Sequence, residues 1–206
     1  MKFPFFGQGK PEVTYNADRI ADYLATLSEL GITLRNPVNN ETVAKMLTER
    51  AKSNRSLNPY SELLWSIFSN QDDPESGDFV SNSNDVMWLD FECVDYDEIY
   101  AELIEQWATM LGDDFPAQDI SSRFDEDEVV VELTLDGEPH QTTFLLDGDW
   151  LNGEVFEWIN NLLQERGSAR RLYLAEEGGQ DSLILASNGP AVNRLEDLGV
   201  KFHLAK

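Results

Sequence analysis

The chain has 206 residues, a formal net charge of −24 at pH 7 and a single cysteine, Cys93. An apolar fraction of 41% excludes wholesale disorder, and no apolar run approaches the roughly 20 residues of a membrane-spanning helix. Because a lone cysteine excludes an internal disulfide and the first residues lack the pattern of a signal peptide, we expect a cytoplasmic protein.

The acidic charge is concentrated in the middle of the chain. Residues 56–165 hold 28 acidic side chains and one basic side chain, Arg123, whereas the flanking segments nearly balance. Like charges destabilise a compact state, and solubility requires only a modest net charge. The excess therefore favours a basic protein partner, mimicry of nucleic acid, divalent cations or a high-salt habitat. The near-neutral flanks argue against a high-salt habitat, which should spread acidity over the whole chain. The acidity also disfavours direct binding to nucleic acid or membranes.

Helical signals dominate the first part of the chain. Apolar residues at three- and four-residue spacing follow Asn16, and Asn39 and Pro59 mark the beginnings of two further helices. The polar residues 70–85, which contain Pro and Gly, predict a long loop or a linker. We therefore divide the chain into an N-terminal helical region (1–70), a loop or linker (71–85) and an acidic α+β domain (86–206), with one continuous domain as the alternative.

Strand and helix patterns alternate in the rest of the chain. Asp136-Gly137 is a strong signal for a two-residue hairpin, and a second hairpin turn follows Ala175. Hairpins mixed with helices favour an α+β fold with a mainly antiparallel sheet over a doubly wound parallel sheet. The predicted helices are residues 96–111, 152–166 and 191–198. The predicted strands are residues 86–91, 128–135, 141–146, 170–175, 182–187 and 200–204.

Neither a metal site nor a catalytic site has a clear motif. The loop at residues 147–154 begins like a calcium loop, but Leu151 occupies its fifth position and its second glycine is one place late. Two histidines and one cysteine lack zinc spacing, and GxSxG, phosphate-loop and HExxH motifs are absent. Cys93 is predicted to be a buried small apolar residue. We expect no cofactor, metal or turnover, with a carboxylate-dependent enzyme as an alternative.

Clusters of acidic residues occur repeatedly in the predicted turns. A solvated surface explains any single cluster, but several within one stretch favour an interface, since loops carry function. The spacing of Trp88, Trp107 and Trp158 predicts that they face the core, whereas Trp150 is expected to be partly exposed. The predicted partner-binding residues are Asp113, Asp114, Asp125, Glu126, Asp127, Asp147, Asp149 and Trp150.

The chain resembles the immunity proteins of bacterial toxin systems in its charge and architecture over residues 56–165. The sequence FEWINNLL at residues 156–163, followed by RRLY at residues 170–173, adds to this resemblance. It implies stoichiometric neutralisation of a nuclease or deaminase toxin by capping of its basic active site. A cleft that holds nucleic acid is positively charged, so an acidic plug would associate with it rapidly. The alternative is a nucleic-acid mimic, whose carboxylates would follow an extended face at phosphate spacing.

Overall fold

The computed structural model describes residues 13–54, 56–69, 71–72, 79–175 and 179–206. These residues form an α+β fold in which all strand pairs are antiparallel and a helical region comes first, which confirms the predicted fold class. The helices are α1 (Ala17–Glu29), α2 (Asn40–Ser53), α3 (Pro59–Leu63), α4 (Ile99–Leu111), α5 (Glu154–Glu165) and α6 (Gly189–Asp197). The strands are β1 (Gln71–Asp72), β2 (Phe79–Val80), β3 (Val86–Asp90), β4 (Gln118–Asp125), β5 (Glu128–Leu135), β6 (Glu138–Leu145), β7 (Arg170–Ala175), β8 (Asp181–Asn188) and β9 (Phe202–Leu204).

Asparagine side chains begin the first three helices. Asn16 accepts a hydrogen bond from the Arg19 N–H, and Asn39 and Asn58 cap α2 and α3 in the same way. Such caps satisfy N–H groups that have no partner within the helix. This is why the sequence located these helix starts correctly.

A four-stranded sheet of order β3-β8-β7-β9 lies at the centre of the molecule. Leu183 and Leu185 of β8 pack with α1, α2, α3 and α6, whereas Ile184 packs with α4 and α5 on the opposite face. Both faces are therefore buried, which explains why β8 is an almost continuous apolar run. Trp88 was predicted to face the core, but it lies on the edge strand β3 and is 40% exposed. Trp107 is fully buried and Trp158 is half-buried, as predicted.

A three-stranded meander of order β4-β5-β6 packs its inner face against α4 and α5. Asp136 and Gly137 both have positive φ, as a type I′ hairpin turn requires, which confirms the predicted hairpin. Strand β4 was missed by the sequence analysis. Its residues are mostly polar, and a bulge at Asp119, where φ is +51°, interrupts the alternation that marks a strand.

The described residues of the predicted loop or linker, 71–72 and 79–85, include a strand pair and buried side chains. Strands β1 and β2 pair within it, and Asn82 and Asp85 are buried. The Arg35 N–H donates to the Asn82 carbonyl at 2.7 Å, and the Thr33 N–H donates to Asp85 at 3.1 Å. The division of the chain at residues 71–85 stays a prediction. Within the described residues, every helix is too short or too polar to cross a membrane.

Candidate protein-binding site

The turn between β4 and β5 presents three consecutive acidic side chains. Asp125 pairs with Glu128 across the hairpin, and Glu126 and Asp127 form the two-residue turn. Glu126 has φ of +56°, a conformation that glycine adopts more readily than other residues. All three carboxylates are exposed. The chain thus keeps a charged residue where backbone geometry favours glycine.

The loop after β6 lies beside this turn. The Leu146 N–H donates to the Asp127 carbonyl at 2.9 Å, which brings Asp147 next to the acidic turn. The Trp150 N–H donates to the Asp147 carbonyl at 3.1 Å and closes the loop. Because β5 and β6 form a hairpin, the beginning of β5 lies beside the end of β6. The turn before β5 and the loop after β6 both carry carboxylates.

The segment after β3 joins the same loop from the other side. The Val94 N–H donates to the Asp149 carbonyl at 2.8 Å, and the Leu151 N–H donates to the Phe91 carbonyl at 2.7 Å. This pairing adds the exposed carboxylates of Glu92 and Asp95 to the group.

The beginning of α4 completes the group. The Ser122 hydroxyl of β4 donates to the Asp97 carbonyl at 2.6 Å and accepts from the Ala101 N–H at 3.1 Å. We call this collection of nine exposed carboxylates the acidic end. Its members are Glu92, Asp95, Asp97, Glu98, Asp125, Glu126, Asp127, Asp147 and Asp149. No cation of the described residues lies within ion-pair distance of any of them, so their mutual repulsion is not locally neutralised.

Asp113 and Asp114 do not belong to the acidic end. They lie in a 3₁₀ turn after α4, whose thirteen residues span about 20 Å. There the Arg166 side chain donates to the Asp114 carbonyl at 3.0 Å and forms an ion pair with Asp136 of the β5–β6 turn. The structure therefore brings together six of the eight predicted partner-binding residues and places the other two at the opposite end of the meander.

Three large apolar side chains are exposed at the acidic end. Trp150 is 41% exposed, as predicted, whereas the 65% exposure of Leu145 and the 42% exposure of Tyr96 were not foreseen. The Tyr96 hydroxyl donates to Glu102 at 2.7 Å, and this hydrogen bond raises the pKa of Tyr96. The signal for Leu145 was available in the sequence. The two-residue turn at Asp136-Gly137 fixes a register that puts Leu145 on the outer face of the sheet.

Chemical groups suited to metal binding or nucleophilic attack are not assembled here. Within the described part of the chain, no three His, Cys, Asp or Glu side chains form a metal-binding group. Burial, together with the smaller effect of the nearby carboxylates of Asp90 and Asp95, raises the pKa of the Cys93 thiol to about 11. The thiol is therefore protonated at neutral pH and is a poor nucleophile.

Comparisons with known proteins add no relative. No protein-family model, no curated protein and no solved structure matches this chain.

Proposed function

We propose that this protein binds and neutralises a basic protein in the cytoplasm, as an immunity protein that caps the active site of a nuclease- or deaminase-type bacterial toxin. The observation that carries the proposal is the convergence of nine carboxylates, unpaired among the described residues, at one end of the molecule. The carboxylates come from three separate segments of the chain, residues 92–98, 125–127 and 147–149. Folding therefore concentrates the charge of a long stretch of sequence on one surface.

Such a surface suits a toxin that holds nucleic acid. The active cleft of a nuclease or deaminase carries Lys and Arg to bind phosphates, so it is a fixed positive field. Complementary fields raise association rates by about 10- to 1,000-fold, which matters when free toxin is lethal to its producer. Because these carboxylates have no cation partner among the described residues, they give up no ion pair of that part of the chain when they meet the toxin.

The geometry gives less support to a nucleic-acid mimic. A mimic needs carboxylates along an extended face, but on the outer face of the meander the exposed carboxylates Asp125 and Glu128 lie together at the acidic end. Other exposed residues of this face include Ser121, Gln141 and Thr143, and its one basic residue, Arg123, pairs with Glu132 at 3.3 Å. The negative charge is concentrated at one end, as a protein that caps a basic active site requires.

The proposal is tested by capturing a partner with a matched pair of variants. Asp125, Glu126 and Asp127 are changed together to Asn, Gln and Asn. The control changes Glu29, Glu41 and Glu49, three exposed residues of α1 and α2, to Gln. Both variants lose three negative charges at different places, and the exposed Glu49–Lys52 ion pair that the control also loses contributes little to stability.

Wild-type protein and the control variant are expected to retain the same basic protein from a lysate of the native host. The turn variant should retain less of it. The purified partner should then lose its activity at a one-to-one ratio, and its association rate should fall steeply with salt, since screening acts over about 10 Å at 0.1 M ionic strength. Equal retention by both variants would contradict the proposed site. Hydrolytic turnover by the purified chain, abolished by one Asp→Asn change, would instead favour a carboxylate-dependent enzyme.

A further inference from the structure

The exposed apolar side chains of the acidic end have no role in steering, so their position requires a separate explanation. Large apolar side chains that are exposed singly are common on protein surfaces. Here Leu145 and Trp150 stand five residues apart at the end of one hairpin, among carboxylates. Two Cα–Cα steps separate Leu145 from Asp147, and the Asp147–Trp150 bridge adds about 5 Å, so the Cα atoms of Leu145 and Trp150 lie within about 12 Å of each other.

Hydrogen bonds of Asn152, one of them to a buried side chain, anchor the loop that carries Trp150 before any partner binds. The Asn152 side-chain amide donates to the Leu145 carbonyl at 3.0 Å, and the Asn152 N–H donates to the Tyr100 hydroxyl at 2.9 Å. Tyr100 is fully buried and stacks on Phe144. Ordering a loop on binding costs conformational entropy, so a loop anchored in advance binds more tightly.

Leu145 also extends this surface onto the outer face of the meander. It lies opposite Glu128, on the side of β6 that points away from the core. Thr143 and Arg123, further along the same face, are exposed, whereas Val130 between them is buried. The exposed Leu145 therefore ends this face beside the carboxylate of Glu128, with Asp125 on the next strand.

We propose that Leu145 and Trp150 form the apolar anchor of a docking surface for a folded basic protein. The partner would insert an apolar side chain, or accept Trp150 in a pocket, within a ring of Lys and Arg that faces Asp127, Asp147 and Asp149. This arrangement places desolvated apolar contacts at the centre and charges at the rim, the usual anatomy of a tight interface. The inference rests on the proposed function and deepens it, because it assigns affinity to the apolar pair and association rate to the carboxylates.

The chain offers matched controls for this assignment. Trp88 and Leu204 are 40% and 39% exposed, and both lie on the four-stranded sheet, outside the acidic end. The test variants are Trp150→Ala and Leu145→Ser, and the controls are Trp88→Ala and Leu204→Ser. Unfolding midpoints in urea check that all four variants fold, as their exposed positions predict.

Kinetics with the purified basic protein captured above distinguish the possible outcomes. Each test variant is expected to dissociate at least about 30-fold faster, with an association rate within a factor of about three of wild type. The controls should dissociate like wild type. Test variants that dissociate like the controls would overturn the inference, and the proposed function would stand if the charge variant still bound weakly. If wild-type protein captures no basic protein, both proposals fall together.

Two other occupants of the surface would also overturn the inference. A wild-type dimer in light scattering that either test variant converts to a monomer would identify a second copy of this chain as the occupant. Binding of a fluorescein-labelled DNA duplex that both test variants abolish would identify nucleic acid.

Discussion

Asp85 connects the helical region to the central sheet, and its replacement by asparagine tests that connection. Asp85 is only 8% exposed, and its carboxylate accepts a hydrogen bond from the Arg170 guanidinium at 3.1 Å. It also accepts from the Thr33 N–H at 3.1 Å and from the Thr33 hydroxyl at 3.3 Å. One side chain therefore holds the loop after α1 and the first residue of β7.

The expected cost of Asp85→Asn follows from these contacts. Removing one partner of a buried ion pair costs about 3–5 kcal/mol, and a hydrogen bond to a charged group contributes about 1.5–3 kcal/mol. Asparagine keeps the size and one acceptor, but its amide donors face the donors of Thr33 or Arg170. Arg170 keeps its bond to the Ala186 carbonyl at 2.9 Å. We therefore expect a loss of about 2–3 kcal/mol, which lowers the Tm of a protein of this size by roughly 4–12 °C.

Urea unfolding followed by circular dichroism measures this loss. The control is Asp149→Asn, which also removes one negative charge but from an exposed side chain, and it should change stability by less than about 0.5 kcal/mol. A similar small effect of both variants would refute the reasoning. A single transition that shifts as a whole would show that residues on both sides of 71–85 unfold together, whereas two transitions would support the predicted division.

Three further predictions concern the acidic end and the cysteine. Glu126→Gly should raise the free energy of unfolding in urea by up to about 1 kcal/mol, because glycine adopts the positive φ of this position without strain. It should also lower the association rate with the basic partner. A lower free energy of unfolding would contradict the stability prediction. Raising salt from about 0.02 M to about 0.3 M should raise the Tm of wild-type protein more than that of the Asp125, Glu126 and Asp127 triple variant, since salt screens their repulsion; equal rises in calorimetry would show that this turn adds no repulsion. With a pKa of about 11, the Cys93 thiol should react with a disulfide reagent at pH 8 about 100-fold more slowly than the same thiol in the unfolded chain. Its reaction rate should rise about tenfold per pH unit up to that pKa. A rate that levels off near pH 9 would contradict the raised pKa.

Much of the site could be predicted from local signals, and the part that could not depends on one strand. The Asp136-Gly137 turn fixes the β5–β6 register, and this register alone brings the beginning of β5 beside the loop after β6. Placing Asp113 and Asp114 requires β4 as well, because β4 determines the direction of the chain after α4. The bulge at Asp119 obscured that strand, and their separation from the other acidic residues was therefore missed.

The pairing of β3 with β8 also has a consequence for synthesis on the ribosome. Val86 lies opposite Leu185, a partner that is translated 99 residues later. At about 5–20 residues per second, that partner is made roughly 5–20 s after Val86. Throughout this interval the apolar faces of α1, α2 and α3 lack the sheet on which they pack in the finished protein. We therefore expect the nascent N-terminal half to expose apolar surface, and so to be prone to aggregation, until β7 and β8 have been made.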